Sequence, residues 1–169
     1  MTVSRRIDAP ADVLFGILAD PRRHPEIDGS TLVREPDGEA KPLTVVGDIF
    51  AMRMHNDEMG DYVMASRITE YEPGRRIVWA PVMTRASRPE DLDMVGTPGG
   101  HLWGYELTPD GAGATVVTEI FDCSRSPEWL HKATKGGRTW IPAMTATLEN
   151  LERLAKESDA FGRGLPEVS

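Results

Sequence analysis

The second half of the chain is organised in runs of strand length. From residue 46 onward, these runs are rich in β-branched, aromatic and methionine residues and are separated by segments that contain glycine or proline. The connections Glu72–Gly74 and Pro109–Gly113 are short and carry residues typical of tight turns. The pattern predicts a meander of five strands: Val46 to Met54, Asp61 to Tyr71, Arg75 to Val82, His101 to Leu107 and Ala114 to Asp122.

The beginning of the chain mixes helical and strand patterns. Val3 to Ile7 predicts a first strand, and Asp8 is placed to cap a helix over Ala9–Ala19, whose apolar residues fall at helical spacing. Arg22 to Ile27 predicts a further short turn or helix, and Thr31 to Arg34 a second strand. Two short elements of helix are therefore expected between the first two strands.

The end of the chain predicts one long amphipathic helix over Thr139–Glu157, or a helix whose first turns start around Pro127 and are kinked at Pro142. Trp140 or Ile141, together with Met144 and three leucines, forms an apolar stripe, while charged residues occupy the other faces. With no repeat and no long linker, the sequence indicates an α+β domain over residues 1–157, followed by a polar tail at 158–169.

Two sequence segments resemble those of a known superfamily. They are DAPADVLFGILADPRRHPEID, which follows the first strand, and GATVVTEIFD, which precedes the long helix. In this order of elements, the chain resembles the START-like (SRPBCC, helix-grip) superfamily, which includes polyketide cyclases/dehydrases and lipid-transfer proteins. The resemblance implies a seven-stranded, curved antiparallel sheet wrapped around the C-terminal helix, with a cavity between them. It implies the fold more strongly than any substrate.

Side-chain alternation along the strands predicts an inner face rich in aromatic residues and methionine. A filled core and an open pocket explain this pattern equally well, and the resemblance favours the pocket. The predicted cavity residues are Phe50, Met52, Met54, Tyr62, Met64, Trp79 and Trp103 from the strands, with Trp140 and Met144 from the long helix.

Two features of the predicted cavity are left open by the sequence. The strand from Ala114 to Asp122 buries either Val116, Thr118 and Ile120 or, in the other register, Val117, Glu119 and Phe121. The longer connections must share one end of the meander, which predicts an apolar entrance formed by Met59, Met83, Met94 and Trp129. The segment from Met83 to Gly100 is equally typical of an exposed insertion, because it is rich in charged residues.

Candidate acid–base groups lie on the predicted inner face. His101 and Tyr105 would be shielded from water there, which shifts pKa values, and they are the catalytic candidates; Glu119 joins them only in one register. The four histidines show no metal-ligand spacing, and there is no dinucleotide or phosphate-binding loop, so neither a metal nor a cofactor is expected.

Charge and composition narrow the choice of partners. The net charge of −8 and the pI near 5.0 disfavour nucleic acid, and no apolar run is long enough for membrane insertion. Cys123 is the only cysteine and no signal peptide is evident, so a cytoplasmic location is expected; a homodimer is compatible with the sequence.

Three functions follow from these observations. The first is a carrier or sensor that binds a hydrophobic small molecule, lipid-like, polyketide-like or aromatic, in the cavity. The second is a cofactor-free polyketide cyclase/dehydrase that uses His101 and Tyr105, so enzymatic activity stays an open question. The third, suggested by related folds, is a protein-interaction module of the chaperone-ATPase-activator type.

Overall fold

The computed structural model describes residues 1–162, with side chains up to residue 158. One curved, seven-stranded antiparallel sheet has the strand order β1-β7-β6-β5-β4-β3-β2. The strands are β1 (Thr2–Ile7), β2 (Val33–Pro36), β3 (Ile49–Asn56), β4 (Gly60–Glu72), β5 (Arg76–Ala86), β6 (Leu102–Pro109) and β7 (Thr115–Asp122). The meander of five strands and the helix-grip fold are both confirmed.

Four α-helices accompany the sheet: α1 (Ala11–Leu18), α2 (His24–Ile27), α3 (Glu128–Thr134) and α4 (Ile141–Gly162). Helices α1, α2 and α4 pack on the concave face of the sheet. The buried stripe of α4 includes Met144, Leu148 and Leu151, which are at most 1% exposed. Among residues 1–162, no helix combines the length and the apolar character that crossing a membrane requires.

The interior is filled at one end and open at the other. Toward the tight turns at residues 73–75 and 110–113, α1 packs Leu14 and Leu18 with Leu107, Val117 and Leu151, all of them 0–1% exposed. The opposite end holds the connections between β3 and β4, between β5 and β6, and between β7 and α4. The cavity described below lies in that half of the molecule, so the sheet surrounds packed side chains at one end and a void at the other.

Several helices and strands begin or end at residues other than those predicted from the sequence. Helix α1 begins at Ala11 rather than Ala9, because Pro10 is extended at the N-cap and the residue before a proline is kept out of the helical region; Asp8 does not cap the helix but pairs with Arg6. Strand β5 continues to Ala86, paired with Tyr62 of β4, so the predicted loop from Met83 to Gly100 begins with strand.

Helix was also underpredicted. Residues Pro89–Met94 and Arg138–Trp140 form short 3-10 helices, and α3 begins directly after Pro127, where the alternative start of the C-terminal helix had been placed, but it is a separate helix. Helix α4 runs to Gly162, five residues beyond the predicted end at Glu157. Of the predicted polar tail, residues 163–169 lie outside the described residues.

Candidate ligand cavity

An internal cavity of about 250 Å³ lies between the sheet, the start of α4 and the segment that links α2 to β2. A single water molecule needs roughly 10–15 Å³ measured in the same way, so the cavity is large enough for an organic molecule. Its wall is mostly apolar, with a few polar side chains distributed around it. This composition is typical of small-molecule sites.

The structure brings together all nine residues that the sequence assigned to the cavity. Met52 and Tyr62 are buried, whereas Trp79, Trp103 and Trp140 are half-buried and contribute ring faces and edges to the wall. The rings of Trp103 and Trp140 meet edge to face at 5.4 Å between centroids. The nine are Phe50, Met52, Met54, Tyr62, Met64, Trp79, Trp103, Trp140 and Met144.

Glu119 is the most unusual group in the wall. Strand β7 buries Val117, Glu119 and Phe121, which settles the register that the sequence left open. Glu119 is 5% exposed, and its Oε1 accepts a hydrogen bond of 3.3 Å from the hydroxyl of Tyr105, its neighbour on β6. Burial in this apolar wall raises the pKa of Glu119 to about 8, so the carboxyl group is mostly protonated at pH 7.

Tyr105 is the partner of that carboxyl group. Burial raises the pKa of Tyr105 well above its usual value of 10.0, and the nearby Glu119 and Asp28 act in the same direction. The tyrosine therefore keeps its proton over the whole physiological range. Together, Glu119 and Tyr105 form a neutral pair of acidic groups that faces the cavity.

The two histidines in the wall are held differently. The Nε2 of His24 donates to the carbonyl oxygen of Leu18 at 2.9 Å, and the ring stacks on Trp79 at 5.7 Å between centroids. His101 lies against Gly99, and its buried Nδ1 has no hydrogen-bond partner among the described residues. Burial lowers the pKa of both rings, so both histidines are uncharged at neutral pH.

Residues 28–33 close one side of the cavity. Asp28 organises them, because its carboxylate accepts from Ser30 N at 3.0 Å, Ser30 Oγ at 2.7 Å and Val33 N at 2.9 Å. Gly29 N donates to Oγ1 of Thr147 on α4 at 3.0 Å. Asp28, Ser30, Leu32 and Val33 all line the cavity.

The sequence of residues 1–156 matches the family described as "Polyketide cyclase / dehydrase and lipid transport". The chain belongs to this family. The match covers nearly the whole domain, from β1 into α4, which confirms the resemblance and the fold that it implied. Family membership names a class of apolar ligands and no particular ligand.

Relatives of this domain include the uncharacterised protein Rv0088 of Mycobacterium tuberculosis (strain ATCC 25618 / H37Rv). It is 33% identical over 96% of this chain, and the chain spans 65% of that relative's length. Among solved structures, a protein from Arthrobacter aurescens matches with a TM-score of 0.65 at 16% identity, covering 92% of this chain and 85% of that one. An AHSA1-like protein from Aeromonas hydrophila matches with a TM-score of 0.57 at 18% identity, covering 94% of each.

The four residues predicted to form the entrance do not line the cavity. Met83 lies within β5 and is 5% exposed, whereas Met94 and Trp129 are 38% and 55% exposed. Met59 is half-buried in the turn between β3 and β4. Met83 follows Trp79 and Pro81 on the same face of β5, beyond the residues that line the cavity. From that end of the sheet, Met54, Tyr62, His101 and Trp103 do line the cavity, together with Trp140.

Sequence reasoning missed the contribution of the α2–β2 segment. Asp28 and Ser30 line the cavity, although the sequence indicates only a polar connection there, and His24 lines it from the short helix predicted within Arg22 to Ile27. An available signal was the phrase Asp28-Gly29-Ser30, in which an Asx turn and a glycine permit close approach to another element. The described side chains contain no group of three His, Cys, Asp or Glu residues that could hold a metal ion.

Proposed function

We propose that this domain binds a hydrophobic small molecule, lipid-like, polyketide-like or aromatic, in its internal cavity and acts as a carrier or sensor. The observation that carries the proposal is the void of about 250 Å³ with a wall of aromatic and methionine side chains. A well-packed protein interior leaves few voids larger than a water molecule, so an apolar void of this size favours a bound guest. Membership of the lipid transport family supports the same conclusion.

Fluorescence of the uncharged dye N-phenylnaphthylamine tests this proposal. Ser66 is 4% exposed and lines the cavity, so Ser66→Leu should fill part of the void and weaken dye binding. Ser4→Leu, at an exposed position on β1, is the matched control and should leave the affinity unchanged. Native mass spectrometry of the purified protein should show an additional bound mass. A bare-chain mass together with no dye fluorescence would contradict the proposal.

The Glu119–Tyr105 pair favours a second candidate function, cofactor-free acid–base catalysis of the cyclase/dehydrase type. A buried carboxyl group with a pKa near 8 exchanges its proton close to physiological pH, which suits a general acid or base. Next to a ligand carbonyl, protonated Glu119 would donate to the oxygen, and its carboxylate would remove a proton from the neighbouring carbon. Glu119 thus joins His101 and Tyr105, the catalytic candidates predicted from the sequence.

Hydrogen–deuterium exchange of a ketone tests this catalysis without knowledge of the natural substrate. The methyl protons of acetylnaphthalene are followed by NMR in D2O with and without protein. An enzyme of this type should accelerate the exchange, and Glu119→Gln and Tyr105→Phe should abolish the acceleration. His101→Ala is measured in the same way, because the sequence analysis named His101 as a catalytic candidate. If exchange with the wild-type protein matches the buffer rate, this candidate is lost and the carrier function stays.

The third function, a module that activates a chaperone ATPase, stays a prediction. The likeness to the AHSA1-like protein supports the shared fold alone, because the two chains are only 18% identical. A pull-down that returns no chaperone would count against it.

A further inference from the structure

The cavity wall offers no cationic side chain of lysine or arginine to a buried anion, as far as the described residues go. Among the described residues, no lysine or arginine contributes to the wall, whereas Asp28 and Glu119 both do. An apolar ligand that carries a carboxylate would leave its negative charge in this cavity without a cation. Burial of an unpaired charge is unfavourable, and a second carboxylate nearby makes it more so.

The same wall presents polar atoms that have no partner. Oε2 of Glu119 and Nε1 of Trp140 are buried and make no hydrogen bond to any described residue. The indole N–H can only donate, and a protonated carboxyl group whose Oε1 already accepts from Tyr105 has its own O–H to donate. Buried polar groups are normally paired, so two unused donors indicate an acceptor that belongs to a ligand.

We propose that the cavity selects an uncharged apolar molecule with a carbonyl or hydroxyl oxygen, that Glu119 in its acid form donates to this oxygen, and that the corresponding carboxylate is rejected. This inference rests on the proposed ligand-binding function and specifies the ligand class. Glu119 fits this role because its side chain is 5% exposed and faces the void from the centre of β7. Nε1 of Trp140 supplies a second donor from the 3-10 helix that precedes α4.

The proposal predicts a pH dependence, because only the acid form of Glu119 donates. Since the pKa of Glu119 is about 8, the competent form is lost as the pH rises through that value. The other titratable groups that line the cavity are His24 on α2, Asp28 in the segment after it, Tyr62 on β4, His101 immediately before β6, and Tyr105 on β6. Burial raises the pKa of both tyrosines and lowers that of both histidines, so these four groups keep one protonation state between pH 7 and 9.

Three aromatic probes of matched shape test the proposal by isothermal titration calorimetry: acetylnaphthalene, ethylnaphthalene and naphthoate. At pH 7, the ketone should bind roughly tenfold more tightly than the hydrocarbon, as expected for one additional buried hydrogen bond. Naphthoate should bind more weakly than the hydrocarbon. Between pH 7 and 9, the ketone affinity should fall by up to about tenfold, in proportion to the acid form, while the affinity for ethylnaphthalene stays constant.

A pair of variants isolates Glu119. Glu119→Gln retains a donor that does not titrate, so the ketone should keep its advantage over the hydrocarbon at pH 9. Glu39→Gln, at an exposed position, is the matched control and should behave as the wild type. The comparison of the three probes with wild-type protein needs no variant and stands even if Glu119→Gln fails to fold.

The possible failures are distinguishable. If neither the hydrocarbon nor the ketone binds and the dye does not bind either, the ligand-binding function and this inference both fall. If ethylnaphthalene binds but the ketone is no tighter, or if naphthoate binds as well as the ketone, the inference is wrong and the ligand-binding function stands. A ketone affinity that is unchanged between pH 7 and 9 also overturns the role given to Glu119.

Discussion

At the scale of single residues, Glu119 determines the chemistry of the cavity. Its neighbours in the wall are mostly apolar, and Tyr105 is its only hydrogen-bond partner among the described residues. Folding therefore removes the carboxyl group from water and replaces its hydration by one long hydrogen bond from Tyr105. The group responds by retaining its proton, which raises its pKa from 4.5 to about 8.

Glu119 should make the stability of the protein depend on pH. Because the folded-state pKa is raised, the folded protein binds the proton more tightly than the unfolded chain between pH 4.5 and 8. Stability is therefore greatest below pH 4.5, as far as this group is concerned, and falls by up to roughly 1.4 kcal/mol per pH unit as the pH rises to 8. Urea unfolding of wild type and Glu119→Gln at pH 6 and pH 8.5 measures this difference.

The amide of Glu119→Gln does not ionise, so the variant should lose this part of the pH dependence and be more stable than the wild type at pH 8.5. Glu39→Gln serves as the exposed control. Equal slopes of stability against pH in the wild type and Glu119→Gln would show that Glu119 is not the group responsible.

Tyr105→Phe should raise the pKa of Glu119 further. The tyrosine hydroxyl donates to Oε1 and opposes the effect of burial, so its removal leaves the carboxylate without a partner. Carbon-13 NMR of the labelled Glu119 carboxyl group, recorded across the pH range, should show a titration midpoint higher in the variant than in the wild type. A midpoint that moves downward would contradict the assigned hydrogen bond.

At the scale of elements, the segment from residue 28 to residue 33 joins the cavity wall to α4. The turn around Asp28 positions Gly29 directly against the helix backbone. A Cβ atom at Gly29 would lie 2.2 Å from the carbonyl oxygen of Ala143 and 2.5 Å from the amide nitrogen of Thr147. This contact is with backbone, which has little room to move, so the absence of a side chain is a requirement of the fold.

Gly29→Ala should therefore separate the segment from α4. The expected result is a loss of stability of several kcal/mol, or a displaced wall and weaker dye binding, because overpacking against backbone costs roughly 1–3 kcal/mol or more. Gly16→Ala is the matched control: Gly16 is exposed within α1 and has open space around it, so alanine should stabilise by about 0.5–1 kcal/mol. Thermal unfolding of both variants measures the contrast. Equal and small effects would mean that the segment does not lie against α4.

At the scale of the whole molecule, the two halves of the interior differ in how they are filled. The half near α1 is filled by side chains such as Leu14 and Leu151, which are completely buried. The half near the start of α4 holds the cavity, and Met144 contributes to its wall. Close side-chain packing is thus concentrated at one end of α4, and the cavity proposed to bind a ligand lies at the other.

Shortening one α4 side chain in each half of the interior should separate effects on stability from effects on dye binding. Leu151→Ala should cost about 2–5 kcal/mol of stability, because it opens a hole in the filled half, and should leave the affinity for N-phenylnaphthylamine nearly unchanged in conditions where the variant is folded. Met144→Ala enlarges an existing void, so its main effect should be on dye affinity. Chemical unfolding and dye titration of both variants provide the test. The reverse pattern would show that the cavity is not where the dye binds.

The sequence alone determined the strands of the meander, the amphipathic α4 and the superfamily resemblance, because side-chain periodicity and turn residues are local properties. It also indicated the nine residues that line the cavity, because the seven on strands share an apolar inner face and Trp140 and Met144 belong to the apolar stripe at the end of the chain. The inner face of β7 was decided only by tertiary structure: both of its faces are apolar enough to be buried, and pairing with β1 and β6 selects the one that holds Glu119. The proximity of residues 28–33 to α4, and the burial that changes the pKa of Glu119, likewise arise from contacts between residues far apart in the chain.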